Sequence, residues 1–326
     1  MTMKNLLRIN NLKTEFKKDK SSVTAIEGVS FNIKEGEIIG LVGESGSGKS
    51  VTSLSIMRLL DEQGKVTEGE VEFKGINILN LGKNEIRKLR GRKMSMIFQD
   101  PMSSLNPVLK IGDQLMESSR LHLGLSKIEA KEHSIKMLDL VGIPSPDNVL
   151  TRYPHQLSGG MCQRVMIAMA MACNPELLIA DEPTTALDVT IQAQIMELLL
   201  ELKEKKNMGI LLITHDLGVV AEMCDKVLVM YAGRIVEKAD VLDLFESPKH
   251  PYTKGLIASV PKLGSGNSEL PFIEGKVPSL GNMPKGCKFS PRCNIARDIC
   301  FTREPKLVKI SQNRECRCHL TEEKEK

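Results

Sequence analysis

The octet Gly43-Glu44-Ser45-Gly46-Ser47-Gly48-Lys49-Ser50 has the residue types needed to hold a polyphosphate. Glycines let a backbone close around phosphate oxygens, and successive N–H groups leading into a helix N-terminus supply partial positive charge. Lys49, at the first turn of the following helix, reaches the β- and γ-phosphates, and the Ser50 hydroxyl is a hard oxygen ligand for Mg2+. Gly43, Ser45, Gly46, Ser47, Gly48 and Val51 complete the candidate ATP cradle. A glycine-rich turn with no nucleotide chemistry accounts for the glycines but not for the lysine.

A second constellation is Leu177-Leu178-Ile179-Ala180-Asp181-Glu182, an apolar run ending in two carboxylates. In an open α/β sheet the ligand crevice lies at such strand ends. Asp181 is suited to hold Mg2+ through water, and Glu182 to polarise the attacking water. Adjacent side chains on opposite faces of one strand can divide that labour. His215 closes another apolar run, in Ile213-Thr214-His215-Asp216. A lone histidine there is more often a structural hydrogen-bonder, but a strand end in a sheet carrying a phosphate loop makes it a candidate γ-phosphate sensor.

Between these motifs stands Leu157-Ser158-Gly159-Gly160-Met161-Cys162-Gln163-Arg164, which resembles the signature sequence of the ABC ATPases. Its physics is again anion binding: Ser158 and the N–H groups of Gly159 and Gly160 open an apolar helix running from Met161 to Ala172. The resemblance extends over residues 5 to about 240, with Gln99 after Met96-Ile97-Phe98 as the Q-loop, Thr185-Ala186-Leu187-Asp188 as the D-loop and His215 as the switch histidine. It implies that Gln99 completes the Mg2+ shell, that Asp188 belongs to the ATP site, and that an upstream aromatic, Phe16, stacks on adenine. It also implies a second ATPase subunit, a copy or a sibling, arranged head to tail, because in this family the signature sequence covers a nucleotide held by the other subunit. Two positions depart from the family's usual pattern: Val51 replaces a common hydroxyl residue, and Cys162 a larger polar one.

The elements that position these residues follow from the apolar pattern. Leu6, Ile9 and Leu12, then Val29, Phe31 and Ile33, then Val71, Phe73, Ile76 and Ile78 read as strands broken by turns at Glu35-Gly36 and Gly69 or Gly75. Glu37 to Val42 reads as a buried strand and Val51 to Leu60 as a helix. From Asp100 to near Arg164 a mainly helical insertion is expected, and by resemblance it touches the membrane subunits. The expected fold is an α/β P-loop NTPase of the ABC type. It has an N-terminal antiparallel β subdomain, a mainly parallel core sheet, a helical subdomain over about 101–165, and a small C-terminal domain bound to a metal cluster through cysteines. The domain division is 1–246 for the ATP-binding domain and 247–326 for the extension.

With 326 residues at 41% apolar content the chain can build one large core and an appendage. The longest apolar candidate, Val165 to Cys173, falls far short of the roughly 18 residues of a spanning helix. No signal-peptide core is visible at the N-terminus, so the chain reads as cytosolic, and the resemblance implies a peripheral subunit on the cytoplasmic face of the membrane. A net charge of +4 and a basic cluster, Lys83 to Lys93, without aromatic residues argue against a nucleic-acid partner. The cluster reads as a solvated helix face before a strand.

Eight of the fifteen prolines and five of the eight cysteines lie beyond residue 246. Cys287, Cys293, Cys300 and Cys318 are separated by five, six and seventeen residues in a segment too short on apolar side chains for a strong core, so a metal staple is expected. The spacing leaves open an iron-sulfur cluster, zinc and unmetalled thiols, and Cys316 competes for the fourth position. The absence of C-x-x-C pairs makes zinc less natural. Gln99-Asp100-Pro101-Met102-Ser103-Ser104-Leu105-Asn106-Pro107 and His250-Pro251-Tyr252-Thr253-Lys254-Gly255-Leu256 resemble the oligopeptide and dipeptide permease branch, which includes nickel and glutathione importers. That resemblance favours a [4Fe-4S] cluster and, through the pair Cys318-His319, Cys318 as the fourth ligand. It implies two integral membrane permease subunits and an extracytoplasmic substrate-binding protein as further partners. A soluble ABC ATPase acting outside transport is the remaining alternative. Cys162, Cys173 and Cys224 read as small buried apolar residues.

Overall fold

Uninterrupted apolar runs become strands buried on both faces: no residue of Ile38–Val42, Leu177–Asp181 or Gly209–Thr214 is exposed. The computed structural model describes residues 5–18, 21–184, 189–260 and 271–322. Its strands are β1 (Asn5–Lys18), β2 (Ser21–Lys34), β3 (Ile38–Val42), β4 (Gly64–Phe73), β5 (Ile76–Asn77) and β6 (Met94–Ile97). They continue with β7 (Leu177–Asp181), β8 (Gly209–Thr214), β9 (Lys226–Tyr231), β10 (Arg234–Asp240), β11 (Val308–Ser311) and β12 (Arg314–Cys316). The helices are α1 (Lys49–Met57), α2 (Lys83–Leu89), α3 (Pro101–Ser104), α4 (Ile111–Leu123), α5 (Lys127–Leu140), α6 (Pro146–Leu150) and α7 (Gly159–Met171). Then come α8 (Val189–Lys206), α9 (Leu217–Met223), α10 (Val241–Glu246), α11 (Pro251–Ala258), α12 (Asp298–Thr302) and α13 (His319–Glu322). Two compact units result. One holds Met1–Leu7, Ile33–Glu37 and Ile76–Leu212; the other holds Arg8–Asn32, Ile38–Gly75 and Ile213–Lys326.

In the first unit β6 and β7 run parallel, with Met94 opposite Leu177 and Ile97 opposite Ala180. Leu177, Leu178 and Ile179 are fully buried, and each contributes about 1.5–3 kcal/mol by leaving water, which anchors the strand whose end carries Asp181. The helical insertion is α3 to α6, with α4 and α5 packed on each other and both on α7. A capping box starts α5: Glu129 N donates to Ser126 Oγ at 3.3 Å and Ser126 N to Glu129 Oε2 at 2.9 Å. The basic segment is the short helix α2 followed by β6, with only Ile86 of the helix buried, as a solvated face requires.

In the second unit β1 lies between β2 and β4 in the antiparallel subdomain. β3 pairs parallel with β9, Leu41 opposite Leu228. The next pairing corrects the expectation of a mainly parallel core. Ala232 and Gly233 both have left-handed φ, 45° and 79°, the geometry of a two-residue hairpin, so β10 returns antiparallel to β9. β12 then pairs antiparallel with β10, and β11 with β12, which makes the sheet mixed.

Two element ends also differ from the sequence reading. α1 stops at Met57 rather than Leu60, because Arg58 turns left-handed at φ 53° and Leu59 N closes back on Leu54 O at 2.8 Å. Ile78 opens a 3-10 turn, Leu79 N donating to Asn77 Oδ1 at 3.1 Å, instead of extending a strand. Among the described residues no helix is long and apolar enough to cross a membrane.

Candidate functional site

The phosphate loop joins β3 to α1 in the second unit. Gly46 and Gly48 sit at φ 78° and 106°, where a side chain is strained. A β-carbon on Gly48 would fall 2.8 Å from Ile26 Cγ2, whereas one on Gly46 would stand in open space. Lys49 is buried, and its Nζ donates to the carbonyls of Gly43 at 2.8 Å and Glu44 at 3.2 Å. Among the described residues Ser47 Oγ, which is buried, has no hydrogen-bond partner, while the Ser47 carbonyl accepts from Gly233 N at 2.8 Å. Ser50 is exposed on the first turn of α1, and the Val51 carbonyl accepts from Ser55 Oγ at 2.6 Å. Gly43 and Ser45 complete the loop.

In the same unit Phe16 is half-buried on β1 with its ring against Gly64, where an added β-carbon would lie 2.9 Å from Phe16 Cε1. His215 is exposed just past β8. Asp216 Oδ1 caps α9 by accepting from Gly218 N at 2.8 Å, and Asp216 N donates to Thr214 Oγ1 at 3.0 Å, which fixes the backbone on either side of the histidine.

The acidic pair lies in the first unit. Asp181 ends β7 at 4% exposure, and Glu182 follows with a left-handed φ of 47°. The pair is therefore separated by a strained turn and not by simple strand alternation. Gln99, just after β6, donates from Nε2 to Glu182 Oε2 at 2.7 Å. Ser158 is the N-cap of α7, its Oγ accepting from Met161 N at 3.3 Å, with Gly159 and Gly160 forming the first turn. An added β-carbon on Gly159 would meet nothing within 4 Å, so an anion can approach its backbone. The D-loop reading, Thr185 to Asp188, lies outside the described residues.

Cys287, Cys293, Cys300 and Cys318 line one small cavity with His250, Phe289 and His319. Cys316 is fully buried on β12 opposite Val308 and is not among that lining. Burial pushes Cys287 up to about 11, and the neighbouring Cys300, Cys318 and Cys293 add to the rise. Among the described residues no group of three or more histidine, cysteine or acidic side chains is gathered closely enough to hold a single metal ion.

Glu44, within the phosphate loop but outside the sequence-derived site, is held by two tail residues that the sequence reading did not place there, Tyr252 and Arg292. Burial opposes the charge of Arg292, but hydrogen bonds to Glu44 and Tyr231 outweigh it and hold the guanidinium above its ordinary pKa. Tyr252 belongs to a motif visible in the sequence; nothing local to Arg292 announces its partner.

A phosphate loop ending in Lys49-Ser50, a strand-end carboxylate pair whose second member accepts from a glutamine, and a serine-capped glycine helix define the class of ABC ATPases. Sequence models described as "ABC transporter" and "Oligopeptide/dipeptide transporter, C-terminal region" match residues 26–185 and 236–300. The chain is similar to the oligopeptide transport ATP-binding protein AppD of Bacillus subtilis (strain 168), 51% identical over 98% of both chains. It is also similar to the dipeptide transport ATP-binding protein DppD of Escherichia coli (strain K12), 49% identical over 96% of both. Among solved structures, the dimeric post-hydrolysis state of the ATP-binding cassette MJ0796 bound to ADP and Pi superposes with a TM-score of 0.66 at 30% identity, covering 72% of this chain and 98% of that one. The chain belongs to the ATP-binding subunits of the oligopeptide and dipeptide ABC transporters. Its activity is ATP hydrolysis coupled to peptide transport.

Proposed function

We propose that this chain hydrolyses ATP to drive import of dipeptides or oligopeptides, as one of a head-to-tail pair of ATPase subunits on the cytoplasmic face of the membrane. The observation that carries the reading is the hydrogen bond from Gln99 to Glu182 at the end of a strand, with Glu182 in a strained conformation. Lys49 and the loop amides bind the β- and γ-phosphates, and Glu182 takes the proton of the attacking water. His215 senses the γ-phosphate. Ser50, Gln99 and Asp181 each offer an oxygen donor of the kind Mg2+ takes, and Mg2+ when bound would neutralise charge on the phosphates. Phe16 stacks on adenine; Ser158, Gly159, Gly160 and Asp188 complete the partner subunit's nucleotide site.

The dimer reading is supported by the one phosphate loop and one signature sequence per chain, and by the dimeric state named for MJ0796. The functional division falls after residue 246, with the insertion near 101–165 docking on two membrane permease subunits that receive substrate from an extracytoplasmic binding protein. A nickel or glutathione importer would use the same ATPase chemistry. Lys49→Ala tests the nucleotide reading: equilibrium binding of a fluorescent ADP analogue is expected to fall below detection, and wild-type affinity would overturn it.

For the tail we propose a [4Fe-4S] cluster on Cys287, Cys293, Cys300 and Cys318. Four soft sulfur donors line one cavity, and thiolates are the ligands such a cluster takes. When bound, the cluster supplies the cross-links that a proline-rich segment with a small core lacks.

A further inference from the structure

Two tail side chains converge on a single residue of the phosphate loop. Arg292 grips the Glu44 carboxylate with both terminal nitrogens, Nη1 to Oε2 at 2.7 Å and Nη2 to Oε1 at 3.1 Å. Tyr252 Oη accepts from Glu44 N at 2.8 Å. Neither side chain is loosely held. The Arg292 side chain is 6% exposed, and its remaining donors go to Glu274 O at 2.8 Å, Ile273 O at 3.1 Å and Tyr231 Oη at 3.4 Å. Tyr252 is fully buried against Tyr231 and Phe289, ring centroids 4.7 and 5.4 Å away.

The segment carrying Tyr252 is fixed in turn. Glu237, fully buried on β10, accepts from Lys249 N at 2.9 Å, His250 N at 2.8 Å and Arg314 Nη2 at 2.7 Å. His250 Nδ1 then caps α11 by accepting from Tyr252 N at 3.1 Å. A rigid chain of bonds thus runs from β10 through the start of α11 to the phosphate loop.

We propose that Arg292 and Tyr252 are positioning residues for ATP, acting through Glu44, so that the C-terminal extension is part of the nucleotide site. Two effects point the same way. The Glu44 carbonyl accepts from Lys49 Nζ, so holding Glu44 from both its N–H and its side chain helps set the resting place of the lysine that meets the phosphates. Glu44 also places a carboxylate beside a site for a polyanion, and the bidentate guanidinium draws that charge off and neutralises it. Without Arg292, incoming phosphates meet both a looser loop and an unbalanced negative charge.

The inference rests on the phosphate-loop reading, which Lys49→Ala tests separately by abolishing nucleotide binding. Steady-state ATPase kinetics and binding of a fluorescent ADP analogue are measured on the full chain carrying Arg292→Met, Arg292→Lys, Tyr252→Phe, Glu44→Gln and the Glu44→Gln/Arg292→Met pair. Arg292→Met is expected to raise KM for ATP about tenfold, with a smaller effect on kcat, the size of one lost charge-assisted pair. Arg292→Lys falls between it and wild type, because it keeps the charge and loses the fork. The double variant binds better than Arg292→Met alone, since the carboxylate charge is gone. Tyr252→Phe, which deletes only the hydroxyl of a packed ring, keeps the fold testable if the arginine variants unfold, and is expected to raise KM a few-fold. Wild-type KM and analogue affinity in folded Arg292→Met or Tyr252→Phe, with only the melting temperature lowered, would overturn the proposal and leave the tail a structural appendage.

Discussion

Gln99 Nε2 donates to Glu182 Oε2 at 2.7 Å, joining the second residue after β6 to the residue after β7 across 83 positions of sequence. The parallel pairing of those two strands, Ile97 opposite Ala180, is what brings the two ends level. The amide holds one carboxylate oxygen and so fixes the orientation of the other. Removing it in Gln99→Ala is expected to lower ATP turnover about tenfold or more, as a lost orienting contact does. A turnover equal to wild type would show that Glu182 needs no partner.

The left-handed conformation of Glu182 has a measurable cost. A non-glycine residue there is strained by about 1 kcal/mol or more, which glycine does not suffer. Glu182→Gly is therefore expected to be more stable than Glu182→Ala by about 1 kcal/mol in urea unfolding, although both lose the carboxylate proposed to be catalytic. Equal midpoints would remove the strain from the account.

Much of this site was legible in the sequence because its chemistry is local. The phosphate loop, Asp181-Glu182 and Ser158-Gly159-Gly160 each need specific residue types within a few positions, and the buried strands β3, β7 and β8 announce themselves as unbroken apolar runs. What was not legible depends on long-range pairing or on backbone torsion. Arg292 meets Glu44 across 248 positions, and no local pattern around either predicts it. The left-handed turn at Glu182 and the Ala232-Gly233 hairpin that makes the sheet mixed are torsional choices, and Ala232 is not a residue whose type advertises a positive φ.

The three cysteines outside the tail differ in kind from the four that share a cavity. Cys224 is pushed up to about 12, by burial first and by the charge of Asp225 second. Its sulfur lies where a β-carbon on Gly40 would come within 3.0 Å, a close-packed setting. At pH 9 it remains a thiol, so iodoacetamide under native conditions is expected to leave Cys224 unmodified, with labelling on unfolding. Mass spectrometry of peptides checks this; rapid native labelling of Cys224 would contradict it.

The choice of Cys318 over Cys316 as a cluster ligand is tested by metal content. Anaerobically purified protein is expected to carry about four irons and four sulfides per chain. Cys318→Ser should lose most of both, and Cys316→Ser, which removes a sulfur from the buried β12 and not from the cavity lining, should retain them. A full cluster in Cys318→Ser, or one zinc in wild type, would overturn the assignment.

The most direct test of the account is single-turnover ATP hydrolysis by Glu182→Gln beside nucleotide binding on the same preparation. The substitution keeps the size of the side chain and one oxygen that can accept from Gln99, and removes the negative charge together with the carboxylate's capacity to take a proton. The account predicts turnover reduced by roughly 10² or more with ATP affinity retained. Hydrolysis at the wild-type rate would contradict it, because the proton of the attacking water would then have to leave by a route that does not involve Glu182.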